Sequence, residues 1–422
     1  MKLDVKGLVV LTGVALFLVV GAYMLGASST NMSSLNSVRI IAPANESANL
    51  ETKDVASPQS MNSALPPAHP SVNENSFFNK SARFNHFRVG NRNVKGIASF
   101  QEQVWVGTSG GVIRYDLKSD DYKLFDVSSG NLLSNGVFHV SMLDKKVVIG
   151  TYGGGMSIHD PEKNTWKNYN IPDGLADQFV YDVQKVANGD VWIATWSGVN
   201  KVINGEFDQP ENWTTYNLEN TQGGLPNDWV YGLEQSRDGA MWFATENGVA
   251  RFKNGEWKNW QHAQGLGAPL DLVKDDIQFK NDPGKASRHH ARQKEEQGLE
   301  NANVAYNPNY VVSLKVDREG VVWGGTWGGG LARFDGKEWK NFTVKDGLPS
   351  NHVFMLYMED DGTVWAGTSH GLAKVNADKK SFTVLKRKDG LYSDNVFSMS
   401  KASDGSFWIG SFGGVARLYG NI

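Results

Sequence analysis

Val104-Trp105-Val106-Gly107-Thr108 is the first of seven related phrases in this chain. The others are Val147–Thr151, Val191–Thr195, Met241–Thr245, Val322–Thr326, Val364–Thr368 and Phe407–Ser411. Their bulky second positions are Trp105, Val148, Trp192, Trp242, Trp323, Trp365 and Trp408, spaced 43, 44, 50, 81, 42 and 43 residues apart. A recurring period of that size marks a repeat architecture. Each phrase is followed within a few residues by a Gly and a short apolar/polar alternation, as in Gly111-Val112-Ile113-Arg114-Tyr115.

The clearest unit runs from Asn351 to Thr383. His352–Glu359 reads as a strand, Asp360-Asp361-Gly362 as a turn, Thr363–Thr368 as a second strand, Gly371–Val375 as a third and Ser381–Leu385 as a fourth. Asp-Gly or Asn-Gly between apolar runs favours tight hairpins, because both residues tolerate positive φ. Four short antiparallel strands in about 43 residues form one blade of a β-propeller, a class with about 40–50 residues per repeat. Seven phrases therefore predict an all-β, seven-bladed propeller over 81–422. The last unit ends after its third strand, and Phe84–Arg88 (FNHFR) aligns with the outer strands of other units. The N-terminal segment is expected to supply the missing strand and close the ring, hiding edges that would otherwise aggregate.

Trp and the small residue two positions later share one side of the second strand. Blades stack face to face, so Trp105, Trp192, Trp242, Trp323, Trp365 and Trp408 are assigned to the structural core. The spacing of 81 contains a charged stretch, 267–306, with no Trp-x-Gly-Thr phrase. It is expected as an inserted loop with room for a short helix around Ser287–Gly298, rather than a decayed eighth blade.

Composition narrows the function. A net charge of −3 gives no basic field, and no nucleic-acid-binding motif is present, so nucleic acid is not an expected partner. The absence of Cys excludes disulfides and thiolate chemistry. Gly7–Ala27 is uncharged and long enough to cross a hydrocarbon core of roughly 30 Å. Lys2 and Lys6 precede it, and the next basic residue is Arg39. Positive-inside logic puts the N-terminus in the cytoplasm and the repeats outside it. Residues 1–27 are read as an anchor, with a cleaved signal peptide as the alternative. Residues 28–80, rich in Ser, Asn, Ala and Pro, are read as a disordered tether. The expected location is the bacterial inner membrane, single-pass, with the propeller in the periplasm.

The joints between units carry a second signature. It reads Asp173-Gly174-Leu175-Ala176-Asp177-Gln178-Phe179-Val180-Tyr181 and Asp346-Gly347-Leu348-Pro349-Ser350-Asn351-His352-Val353-Phe354. It recurs at Gly223–Asp228 and Asp389–Phe397. With the Trp-x-Gly-Thr phrases and the following Gly-Leu or Gly-Val, this resembles the two-component regulator propeller repeat. The resemblance implies a sensor module of the kind carried by periplasmic domains of membrane-bound histidine kinases, often responding to glycans. No kinase motif occurs in this sequence, so a sensing or binding module without the kinase part is expected.

Strand order puts the loops between strands two and three, and the joints, on one end of the ring. Candidate binding residues there are Tyr152, Trp196, Trp229, Glu246, Trp327, His370 and Phe412, with His139, Phe179, Asp228, His352 and Tyr392 also in the joints. Exposed aromatics around a funnel suit stacking on sugars or gripping peptides. A glycan, a peptide, a partner protein or a separate membrane sensor kinase is the expected partner. Loss of Trp196 or Trp327 should then weaken capture with little effect on stability. His289-His290 is read as part of a solvated polar loop, because adjacent side chains diverge and no spaced ligands accompany them. No metal or cofactor is expected, and no catalytic residue is assigned. The alternative function is a lyase or hydrolase acting on glycans or cyclic esters, as some seven-bladed propellers do, with His139, His352 or His370 as base.

Overall fold

A computed structural model describes residues 84–420. The anchor expected over 1–27 and the tether over 28–80 lie outside the described residues. Among the described residues no helix is long and apolar enough to cross a membrane.

The architecture is an all-β propeller. Five sheets have four antiparallel strands each. Each starts with an inner strand: Val137–Leu143, Val180–Lys185, Val230–Gln235, Asn307–Val316 or Val353–Met358. Each then runs outward through a Trp-x-Gly-Thr strand or its equivalent to a short outer strand, such as Thr165–Tyr169 or Trp339–Phe342. A sixth sheet has six strands. Its long strand Phe84–Phe100 pairs at one end with Gly414–Leu418, through Phe84–Arg88, and at the other with Gln103–Thr108.

Burial explains the repeated Trp. Trp105, Trp323, Trp365 and Trp408 are at most 1 % exposed, and Trp192 and Trp242 at most 5 %. Each packs into the neighbouring unit: Trp105 onto Val137 and Val147, Trp365 onto Val396 and Ile409, Trp408 onto Val94 and Val104. A cation from the third strand, such as Arg251 over Trp242 at 5.7 Å or Arg417 over Trp408 at 5.2 Å, lies against each ring. The guanidinium or ammonium itself faces the ring, a cation–π contact, and that of Arg417 is buried and paired with Asp404.

The Thr of the phrase closes the next turn. Thr195 Oγ1 donates to the carbonyl of Gly198 at 2.8 Å, and Thr108, Thr151, Thr245, Thr326 and Thr368 repeat the bond to Gly111, Gly155, Gly248, Gly330 and Gly371. Gly198 sits at φ 106°, and a Cβ there would meet the Tyr216 carbonyl oxygen at 2.2 Å, so only Gly fits. The N–H of the same Gly donates to the joint that follows, Gly198 to the Asp228 carbonyl at 2.7 Å and Gly371 to that of Asp394 at 2.7 Å. Turns and joints are thereby tied together at one end of the ring.

The stretch 267–306 is folded. It contains α1 (Leu270–Val273), α2 (Pro283–Ala286) and α3 (Arg288–Glu296). It has its own small core around Ala268, Val273 and Tyr306. Lys294, buried, pairs with Asp282 at 2.8 Å. The helix falls within the expected 287–298. The solvated reading of its histidines is corrected below.

Candidate functional site

The insertion lies over the end that carries the turns and joints. There the candidate aromatics join into an arc. Tyr152 meets Phe179 edge-on at 4.6 Å, Phe179 meets Trp196 at 4.6 Å, and Trp196 meets Trp229 at 4.5 Å. The arc ends on the insertion, where His289 stacks on Trp229 at 3.9 Å. Edge-to-face pairs at such spacings add stability beyond their area.

Several expectations about exposure are overturned. Trp196 is 9 % exposed and Trp327 only 3 %, so neither is a free surface aromatic. Trp196 is sandwiched by Phe179 and Trp229, whereas Trp327 is enclosed by Tyr310, His352 and Phe279 of the insertion. Glu246 is fully buried rather than solvated. His290 Nε2 lies 2.6 Å from its Oε1, and His289 Nε2 lies 3.2 Å from its Oε2. Burial pushes the Glu246 carboxyl up, but the two histidines win and hold it below the ordinary carboxylate value. His289 and His290 therefore clasp the insertion to the ring; they diverge, yet both reach one carboxylate.

Tyr152 and Trp229 remain half-buried on this end. His370 lies apart, half-buried, its Nδ1 2.8 Å from Ser369 Oγ, with burial lowering its ring below the usual value. His352 is fully buried, and burial lowers it to about 3. Among the described residues no group of three or more metal-ligating side chains converges.

Beneath the insertion, the inner strands enclose a central cavity of about 720 Å³. An aromatic collar surrounds it. Phe138, Tyr181, Tyr231, Tyr310, Trp327, Phe354 and Phe397 touch in turn, with ring centroids 4.8, 4.9, 4.9, 5.3, 5.8 and 5.4 Å apart. Phe279 and Pro283 of the insertion border the same cavity, as does Phe412. Lys95 lies beside the collar, its Nζ 4.8 Å from the centre of the Phe138 ring.

Charged groups also line the cavity. His139 Nδ1 is 3.2 Å from Asp182 Oδ1, and Asp182 Oδ2 accepts from the Leu233 N–H at 2.8 Å. Burial lowers the His139 ring below its usual value despite Asp182. Its Nε2 has no hydrogen-bond partner among the described residues. Lys315 pairs with Glu234 at 2.5 Å. Burial would lower the Lys315 amine, but Glu234 and Asp182 raise it above its ordinary value.

Sequence reasoning listed His139, Trp327 and Phe412, which border the cavity, but missed the rest of the collar and Lys95. The signal was present. The residue after the Val of each inner strand is Lys95, Phe138, Tyr181, Tyr231, Val312, Phe354 or Phe397. Those positions face the lumen, not the loops.

The fold and the repeats agree with known proteins. Residues 224–247 and 347–370 match the two component regulator propeller repeat. No curated protein matches the sequence. The extracellular domain of a putative hybrid two component system from B. thetaiotaomicron superposes with a TM-score of 0.61 at 19 % identity, over 80 % of this chain and 41 % of that one. The chain thus spans about two fifths of that structure. Virginiamycin B lyase from Staphylococcus aureus gives 0.53 at 11 % identity, over 80 % of this chain and 99 % of that one. YCF48 bound to D1 peptide gives 0.54 at 11 % identity, over 81 % and 98 %. At these identities the likenesses speak for the propeller fold alone.

Proposed function

We propose that this chain, which carries two-component regulator propeller repeats, is a binding module. It acts as a ligand or partner-protein sensor or scaffold, tethered to the membrane through 7–27 with its propeller in the periplasm, and performs no catalysis. One observation carries the reading: an aromatic-lined cavity of about 720 Å³ opens beneath a folded insertion. That volume lies within the about 300–1,000 Å³ usual for small-molecule sites. The uncharged run Gly7–Ala27, flanked by Lys2 and Lys6, supports the tether.

The ring is proposed to have seven blades. Two features of the six-stranded sheet support counting it as two. Strand Phe84–Phe100 pairs with Phe407–Leu418 up to Asn93, with an irregularity after Arg88, and with Gln103–Thr108 from Val94 on, and Phe87 stacks on Trp408 at 4.9 Å as outer-strand aromatics stack on Trp192 and Trp242. On this reading Phe84–Arg88 is the closing outer strand.

A photo-crosslinking side chain at Leu272, 52 % exposed on the insertion, tests the binding reading in intact cells. Mass spectrometry should return one reproducible partner, with the chain in the membrane fraction. Uniform labelling of unrelated periplasmic proteins would sink it.

A lyase or hydrolase remains the second reading. The His139–Asp182 pair, with an unpartnered Nε2 at the cavity, favours it. Turnover of a polysaccharide or cyclic ester by the purified chain, abolished by His139→Ala, would establish it over the first.

A further inference from the structure

We propose that the cavity inside the ring binds a small aromatic carboxylate, its acid group paired with Lys95 and its flat ring held within the collar. This rests on the ligand-binding reading above and names the chemistry of the ligand.

Charge is the first argument. Lys315 is matched by Glu234, and His139 is held by Asp182. Lys95 has no ion pair or hydrogen bond among the described residues; its one contact of note is the Phe138 face at 4.8 Å. Lys95, His139, Asp182 and Lys315 line the cavity, and Glu234 holds Lys315 from outside that lining. The two carboxylates already have partners, and the Lys95 ammonium has none. A monoanion completes that set. A phosphate dianion would bring a second negative charge into a cavity that Asp182 already lines.

Position is the second argument. The equivalent place on the other inner strands holds Phe138, Tyr181, Tyr231, Val312, Phe354 and Phe397. Packing alone is served by an aromatic or aliphatic residue there, and Lys95 departs from the repeat. The departure costs stability. Lys95 lines the cavity, and burial lowers its amine to about 7. Groups perturbed in this way inside a cavity gather at functional sites.

Shape is the third. Phe138, Tyr181, Phe354 and Phe397 offer ring faces and edges to a flat guest. Ser141, Ser313 and Asn281 line the same cavity and can meet hydroxyls, so glucuronate is the comparison that separates a sugar acid from a flat aromatic one. The volume excludes a folded protein.

Calorimetry with the full-length chain tests this, using phenylacetate, the neutral phenylethanol and the sugar acid glucuronate. Phenylacetate is expected to bind, with both comparison compounds at least about tenfold weaker, a difference of about 1.4 kcal/mol. Lys95→Met should lower phenylacetate affinity by about tenfold or more, the loss of one charge-assisted contact. Its melting temperature, equal to or above wild type, shows that the variant folds. The proposal is overturned by equal binding of phenylethanol, by preference for glucuronate, by unchanged affinity in Lys95→Met, or by no phenylacetate binding up to about 10 mM, beyond the ~1 mM range of weak specific sites. If it fails while Leu272 still captures one partner, the binding-module reading stands without it.

Discussion

His290 Nε2 lies 2.6 Å from Oε1 of Glu246, a carboxylate that no solvent reaches. The two residues are far apart in sequence. One belongs to α3 of the insertion, the other to a turn of the ring. A buried carboxylate left alone would be costly, so the pair makes closure of the insertion conditional on the clasp.

The clasp should be lost in acid. The folded Glu246 carboxyl is held below its ordinary value of 4.5. A carboxyl lowered on folding contributes stability above the unfolded value, and the contribution fades as pH falls through the folded one. Amide exchange in α3 is expected to quicken below about pH 4.5 before the sheets respond. Glu246→Ala should loosen α3 at neutral pH by about 1–3 kcal/mol, because His289 and His290 lose their shared acceptor. Equal protection of α3 in variant and wild type would remove the clasp.

Lys95→Met should raise the melting temperature at pH 7 by roughly 2 °C, the response of a large domain to a gain of order 1 kcal/mol. The sign follows from burial. The folded amine sits at about 7 and the unfolded one at its ordinary 10.5. Between those values the unfolded chain holds more protons, so wild-type stability rises with pH across the window. That rise should be smaller in Lys95→Met. Thermal melts from pH 6 to about 10 check both statements.

Trp196→Ala should destabilise the fold by about 3 kcal/mol, as loss of a buried aromatic does. The sequence alone suggested a nearly neutral change. Trp196 is buried between Phe179 and Trp229, so truncation opens a gap in the middle of the arc. Urea melts of the variant decide between the two.

Phe87→Ala addresses ring closure. Phe87 is 6 % exposed, stacks on Trp408 and meets Tyr115 edge-on. A loss of about 3 kcal/mol is expected if Phe84–Arg88 closes the ring. Removal of the segment should in addition promote aggregation, because the edge at Gly414–Leu418 is uncovered. An unchanged melt of Phe87→Ala would contradict closure by this strand.

Much of the scaffold was legible because its signals are local and periodic. Trp in the second strand, Thr directly before the turn and Gly directly after it each follow from strand pleat and turn sterics. Thr195 and Gly198 need only each other and Tyr216 next door. The arc from Tyr152 to Trp229 was also within reach, since equivalent positions of successive units become neighbours. Its burial was not, because the insertion that ends the arc at His289 follows no repeat.

The sequence by itself determined the repeat, the propeller, the core Trp residues and the end on which turns and joints meet. Tertiary structure alone decided what the insertion touches and covers. His289 and His290 read as solvated until α3 brought them to Glu246, and Lys95 entered no reading of the sequence. The physical reason is distance along the chain. Periodicity reports contacts between equivalent positions of adjacent units, whereas a lumen and its roof gather residues from every unit and from the one segment outside the period.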